Sequence, residues 1–353
     1  MPVDSATTEL SLPGLEVTPT APESKPNHWI ERGPQKRLMV FAGRSHSDLA
    51  QRIAEHLGVE LGDVELKTFA NDETYVRYSE SIRGADVFIV QTGSEPVDRN
   101  LMELLLMIQA AKLASAKRIT AVIPWFPYSR QDRKAKPREP ISGRLVADML
   151  QLAGADRVLT MDLHAGQIQG FFTVPVDHMT ALPLFGRHFR DLGFTGEGVV
   201  SVAPDAGRAK VAVRFAEMLD AEFAVMHKTR PAHDAVAVTE ITGRVRDKIA
   251  IVGDDVTTTG STLIAGAQAL KEHGAREVWI FVTHALLNAE GLERLGNAEV
   301  AGIVVTDTVP IDPLARPENL TVLPVAGLLA ETIMNVFADD SVSAIFGGDT
   351  QLF

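Results

Sequence analysis

The chain has 353 residues, 45% of them hydrophobic and 23% charged, with a formal charge of -12. That is the profile of a soluble globular protein long enough for two domains, and its average surface repels nucleic acid and anionic membranes. It contains no cysteine, which excludes disulfides, thiolate metal sites and a cysteine nucleophile.

Prolines stand at 2, 13, 19, 22, 26 and 34 in a segment with few large apolar side chains. Such a segment buries too little surface to offset its ordering entropy, so residues 1–36 are expected to be a flexible extension. Asp4 and Glu9 precede the first basic residue, Lys25, and no long apolar region follows, so no secretion signal is read. No apolar run approaches the ~18 residues of a membrane span, and a cytoplasmic location is expected.

Beyond the extension, strands alternate with helices. LMVFAG (38–43) reads as a strand ending in glycine, and SDLAQRIAEHLG as a helix with a glycine stop. DVFIVQTG, RITAVIPW and VLTMDLH are further strands, the first two separated by the helical run RNLMELLLMIQAAKLAS. In the second half GVVSVAP, EFAVMHK, KIAIVGDD, EVWIFVTHAL and GIVVTDTV read as strands, with KVAVRFAEMLD and LIAGAQALKEHG as helices between them. Continuous apolar strands of this kind imply an α/β fold with mainly parallel sheets covered by helices. A faint internal repeat, strand–polar loop–helix–strand, relates DVFIV onward to KIAIV onward.

The stretch VGDDVTTTGST (252–262) carries the first chemical signal. A loop between strand and helix lies at the carboxyl end of a sheet, and backbone N–H groups from Thr258 to Thr262 would open the helix and favour a phosphate. Gly260 lets the backbone approach closely, while Thr259, Ser261 and Thr262 add hydroxyl donors. No lysine follows the glycine, so this is not a P-loop. Asp254 and Asp255 suit two neighbouring sugar hydroxyls. Diol in front and phosphate behind outline a ribose 5-phosphate, although the bare pattern also fits an acidic turn with a threonine-rich cap.

An apolar strand followed by DDxxxTGxT resembles the phosphoribosyl-binding loop of the phosphoribosyltransferase-type fold. FANDE (69–73), YSRQDRKAKPREPIS (128–142), TMDLHAGQIQGFF (160–172), APDAG (203–207) and HKTRP (227–231) follow the order seen in the ribose-phosphate pyrophosphokinase family. The resemblance covers roughly residues 37–346. It implies two similar domains, 37–177 with the ATP and regulatory loops and 178–335 with the sugar loop, and a C-terminal helix and tail, 336–353, packing back on the first. Enzymes of this family transfer the diphosphoryl group of ATP to the anomeric hydroxyl of ribose 5-phosphate and release AMP.

That chemistry needs alignment and positive charge at the phosphoryl oxygens. Lys228 and Arg230, two apart after the strand EFAVM, match the family's catalytic pair, and the stretch AHDAVAV beyond them is read as mobile; alone, KTRP is a common solvated strand end. The resemblance makes His164 and Asp205 ligands of the Mg2+ that carries ATP, with His164 oriented by Asp162 through strand alternation. Asp205 also joins Asp254, Asp255, Thr258, Thr259, Gly260, Ser261 and Thr262 at the ribose 5-phosphate. Arg130 and Gln131 are expected to contact ATP, Phe69 to stack on adenine, and Asn71 and Glu73 to meet its edge. In the family that last loop enters a neighbouring subunit, which implies a homo-oligomer, usually a hexamer of paired subunits. Phosphate and ADP are the expected effectors.

Four positions depart from the family pattern. Asn71–Asp72 replace Asp-Gly, Arg208 follows PDAG in place of a second glycine, Thr258 replaces an aspartate, and Thr229 replaces a frequent arginine. An active synthetase is the leading reading. Arg208 and Thr258 keep a non-catalytic regulatory subunit open as an alternative. RQDRK, DLH and KTR argue against a phosphoribosyltransferase, which has no ATP to bind.

Overall fold

Leu38–Ala42 forms β1, and Ser47–Leu57 forms α1, whose left-handed stop is Gly58. Next come β2 (Val64–Thr68), β3 (Thr74–Tyr78), β4 (Asp86–Val90), α2 (Val97–Leu113), β5 (Arg118–Ile123), α3 (Ser142–Ala153), β6 (Arg157–Met161) and β7 (Val176–Met179). The chain continues through α4 (Leu182–Asp191), β8 (Val199–Ala203), α5 (Ala209–Met218), β9 (Glu222–Ala232), β10 (Ala235–Thr242) and β11 (Ile249–Thr257). It closes with α6 (Ser261–Glu272), β12 (Glu277–Ala285), α7 (Ala289–Gly296), β13 (Gly302–Thr306), β14 (Leu320–Leu323) and α8 (Ala326–Ala338). This computed structural model describes residues 36–232 and 235–346, the side chains of 228–239, 344 and 346 excepted.

The expected α/β architecture is present. β1, β4, β5, β6 and β7 form one sheet in the order β1-β4-β5-β6-β7, with every pair parallel. A second sheet runs β10-β9-β8-β11-β12-β13-β14, parallel except for the antiparallel edge pair β10–β9. β2 and β3 make a separate hairpin.

One core joins the inner faces of both sheets. Val40, Phe88 and Leu159 from the first meet Ile251, Phe281 and Val304 from the second, with α1, α4, α5 and α8 between them. The outer face of the first sheet is covered by α2 and α3, and that of the second by α6 and α7. Among the described residues no helix is long and apolar enough to cross a membrane.

Two local expectations are corrected, and a third falls partly outside the described residues. The helix placed from 336 begins at Ala326, because AGLLAETIMNVF continues one apolar helical face, and α8 packs on α1. The two aspartates of VGDDVTTTGST lie in β11 rather than in a loop, since its pairing with β12 continues through Thr257↔Ala285. Of the AHDAVAV stretch, residues 233–234 lie outside the described residues, while Ala235–Thr242 is a strand paired with β9.

The second sheet also fixes where a ligand can sit. From β8 the strand order runs one way to β9 and β10 and the other way to β11 and its successors. The carboxyl ends of β8 and β11 therefore flank a topological switch point, the usual ligand crevice of an open α/β sheet. β8 ends at Ala203 while β11 runs on to Thr257 paired only with β12, so Asp254–Thr257 border that crevice beside Pro204 and Asp205.

Candidate active site

After β11, the turn at Thr258 and Thr259 leads into α6, and each residue has a definable task. Thr257 Oγ1 accepts the Gly260 N–H at 3.1 Å, and the Thr259 and Ser261 hydroxyls lie 2.9 Å apart. Gly260 has φ 75°, a left-handed conformation that glycine adopts without steric cost. A side chain at 260 would find ordinary contact distances, so conformation rather than crowding calls for glycine. The helix starts at Ser261, so of residues 258–262 only Ser261 and Thr262 place N–H groups in its first turn. That narrower cradle is still the positive end of a twelve-residue helix.

Near the end of β11, Asp254 and Asp255 face Arg208 and His164. Asp255 Oδ2 lies 2.7 Å from Nδ1 of His164, and its Oδ1 is ion-paired with the Arg208 guanidinium. Arg208 Nε is 3.5 Å from Asp254 Oδ1. Burial acts upward on Asp255 but is outweighed by His164 and Arg208, which hold it below the usual carboxylate range. Burial and the neighbouring Asp255 charge push Asp254 well above that range. The pair thus titrates apart, with Asp255 ionised against Arg208 and Asp254 keeping its proton to higher pH.

The expected Asp162–His164 partnership is not formed. β6 ends at Met161, so strand alternation does not reach His164, and Asp162 turns away with φ 36°. Its carboxylate instead accepts the Ala181 N–H at 3.0 Å and the Thr283 hydroxyl at 2.7 Å. His284 extends this buried junction between the sheets: Nε2 donates to Met161 O at 3.0 Å, Nδ1 lies 2.9 Å from Thr308 Oγ1, and the ring packs on Trp125. Next to His164, Leu163 N–H donates to His178 Nε2 at 2.9 Å. Nothing local in the sequence marked these partners.

Asp205 caps the turn before α5, accepting the Gly207 N–H at 3.0 Å, and so holds the backbone that carries Arg208. Asp255, by fixing Nδ1 of His164, leaves Nε2 as the ring nitrogen for a ligand, the usual carboxylate–histidine–metal arrangement. Among the described residues no group of three or more His, Asp or Glu side chains is gathered for a metal. Magnesium keeps its waters, arrives with phosphates and takes oxygen ligands, so the Asp205 carboxylate suits it, whereas His164 offers a nitrogen and is the less natural ligand.

Arg130 and Gln131 line a cavity of about 510 Å³ together with Arg99, Trp125, Tyr128 and Thr258. This brings the basic loop of the first sheet against the turn after β11. Tyr128 donates to Asp98 on its rim. A larger cavity, about 770 Å³, lies on α7 and the Pro313–Ala315 turn and contains none of the expected site residues.

The FANDE residues form the tip of the β2–β3 hairpin. Phe69 is 51% exposed, and Asp72 pairs with Arg99 at 2.8 Å, tying the tip to the cavity rim. Phe69, Asn71 and Glu73 themselves do not line the cavity of their own chain. Lys228 and Arg230 lie on β9, where Val238 pairs with Lys228, and their side chains are outside the described ones.

Comparison with known proteins places this geometry. Residues 38–154 match the model of the N-terminal domain of ribose phosphate pyrophosphokinase, and residues 231–347 that of the phosphoribosyl synthetase-associated domain. Ribose-phosphate pyrophosphokinase of Corynebacterium efficiens is 46% identical over 325 residues, 91% of this chain and 99% of the relative. That of Caldanaerobacter subterraneus subsp. tengcongensis is 47% identical over 309 residues, 88% of this chain and 98% of the relative. The crystal structure of phosphoribosylpyrophosphate synthetase from Mycobacterium smegmatis superposes with a TM-score of 0.80 at 44% identity, covering 86% of this chain and all of that one.

Proposed function

The chain belongs to the ribose-phosphate pyrophosphokinase family, and from that premise we propose how its residues carry out the reaction. The enzyme transfers the diphosphoryl group of ATP to the C1 hydroxyl of ribose 5-phosphate, giving 5-phosphoribosyl 1-pyrophosphate and AMP for nucleotide biosynthesis. The observation that carries the proposal is the cavity where Arg130 and Gln131 stand beside Thr258. It supports a nucleotide lying across the junction, with its phosphates directed at the sugar loop.

In this reading Arg130 and Gln131 hold ATP, and Phe69, Asn71 and Glu73 reach the adenine from a neighbouring subunit. Asp254 and Asp255 accept the hydroxyls of ribose 5-phosphate, and the 5-phosphate rests on Thr258, Thr259, Gly260, Ser261 and Thr262. Lys228 and Arg230 supply the positive charge that the phosphoryl oxygens need as the bond to the leaving AMP breaks. His164 and Asp205 hold Mg2+, with Asp205 also close to the sugar. When bound, the ion neutralises phosphate charge. We place the enzyme in the cytoplasm as a hexamer of paired subunits with phosphate and ADP as effectors.

Incubation with ATP, Mg2+ and ribose 5-phosphate is expected to yield AMP and the pyrophosphorylated sugar in equal amounts. ATP binding without AMP formation would favour the non-catalytic reading and refute this one.

A further inference from the structure

Arg208 closes the carboxylate pair that the sugar must reach. Its guanidinium spans Asp254 Oδ1 and Asp255 Oδ1, while His164 takes Asp255 Oδ2 and the Asp255 N–H takes Asp254 Oδ1. The Asp255 side chain is 2% exposed, Asp254 18% and Arg208 13%. The remaining space beside them, lined also by Thr180, Gly253 and Phe281, is about 20 Å³. A single water needs at least about 10–15 Å³ on this measure, so the space suits a water and not a pentose.

We propose that Arg208 is an internal latch on the sugar site: it occupies the acceptors of Asp254 and Asp255, and ribose 5-phosphate binds by displacing it. The inference rests on the reading that this pair holds the sugar's hydroxyls. Both oxygens of Asp255 are engaged, so a vicinal diol finds two acceptors on the pair only when the guanidinium leaves. The motion asks little of the backbone. Arg208 sits in the turn just before α5 with φ -100°, and four side-chain torsions can carry its charge away from the pair. Arg208 therefore sets sugar affinity and leaves nucleotide affinity alone, because it is not among the residues lining the cavity that holds Arg130 and Gln131.

Steady-state kinetics of Arg208→Gly test the latch, with folding checked by circular dichroism and direct sugar binding by calorimetry. The expected result is a fall of about tenfold in KM and Kd for ribose 5-phosphate with KM for ATP unchanged. An unchanged or raised sugar KM overturns the latch, a rise marking Arg208 as a sugar ligand. If the glycine variant does not fold, Arg208→Lys serves. It keeps the charge but reaches one carboxylate, and a smaller fall in sugar KM is expected; no fall overturns the proposal. Asp255→Asn separates the underlying reading, under which sugar KM rises. An unchanged sugar KM there takes the hydroxyls away from the pair and overturns both, whereas a rise with no effect at position 208 overturns the latch alone.

Discussion

Gly253 immediately precedes the aspartate pair, and replacing it with alanine probes how tightly β11 is pressed against the core. A Cβ at position 253 would stand 2.0 Å from Cζ and 2.4 Å from Cε1 of Phe281. Carbon atoms in contact sit about 3.5–4.0 Å apart, so the ring would have to retreat by roughly 1.5 Å. The room around the ring is small, a space of about 20 Å³ beside it. Phe281 is buried, with its centroid 4.7 Å from that of Phe185 and 4.5 Å from that of Phe215. Overpacking of this kind costs about 1–3 kcal/mol, and the intrinsic gain of alanine over glycine in a strand returns about 0.5–1 kcal/mol. Gly253→Ala is therefore expected to lower stability by about 0.5–2 kcal/mol, read as a lower midpoint in chemical denaturation with an unchanged slope. Pairing it with Phe281→Leu should restore part of the loss, a coupling of at least about 0.5 kcal/mol in a double-mutant cycle. Wild-type stability in Gly253→Ala, or strictly additive effects in the double variant, would refute the steric argument.

Two other outcomes are expected. Burial pushes His178 down to about 4, and His46 and His284 are lowered by burial as well. The unfolded chain then takes up protons that the folded one refuses, so stability is intact above about pH 6.5 and falls as pH drops towards 4. For His178 alone the loss is on the order of 3 kcal/mol, measurable as denaturation midpoints at pH 7, 5.5 and 4; a flat profile over that window would contradict it. Lys228→Ala is expected to lower kcat by about 10²–10³-fold while leaving the melting temperature near that of the wild type, and near-normal turnover would remove Lys228 from its role.

Much of the architecture could be read along the chain because it is a local property. Apolar runs of strand length, helical spacing in SDLAQRIAEHL and glycine stops such as Gly58 depend on neighbours a few residues away. So does the left-handed turn at Gly260, and the motif order that carries the family resemblance is linear by nature. The partners of the site are a different matter. His164 meets Asp255 across 91 positions, and no spacing rule favours that aspartate over Asp162, only two residues away. The choice follows from β6 ending at Met161 and from β11 continuing through Thr257, two strand ends fixed by pairing with neighbours. Arg208 was legible as an odd letter after PDAG, yet its grip on Asp254 and Asp255 exists because β8 and β11 are adjacent at the switch point. Residue types and their local periods determined the elements and the kind of chemistry. Only the packing of two sheets around one core decided which charges face each other, because strand order is set by the collective burial of apolar faces and leaves no local trace.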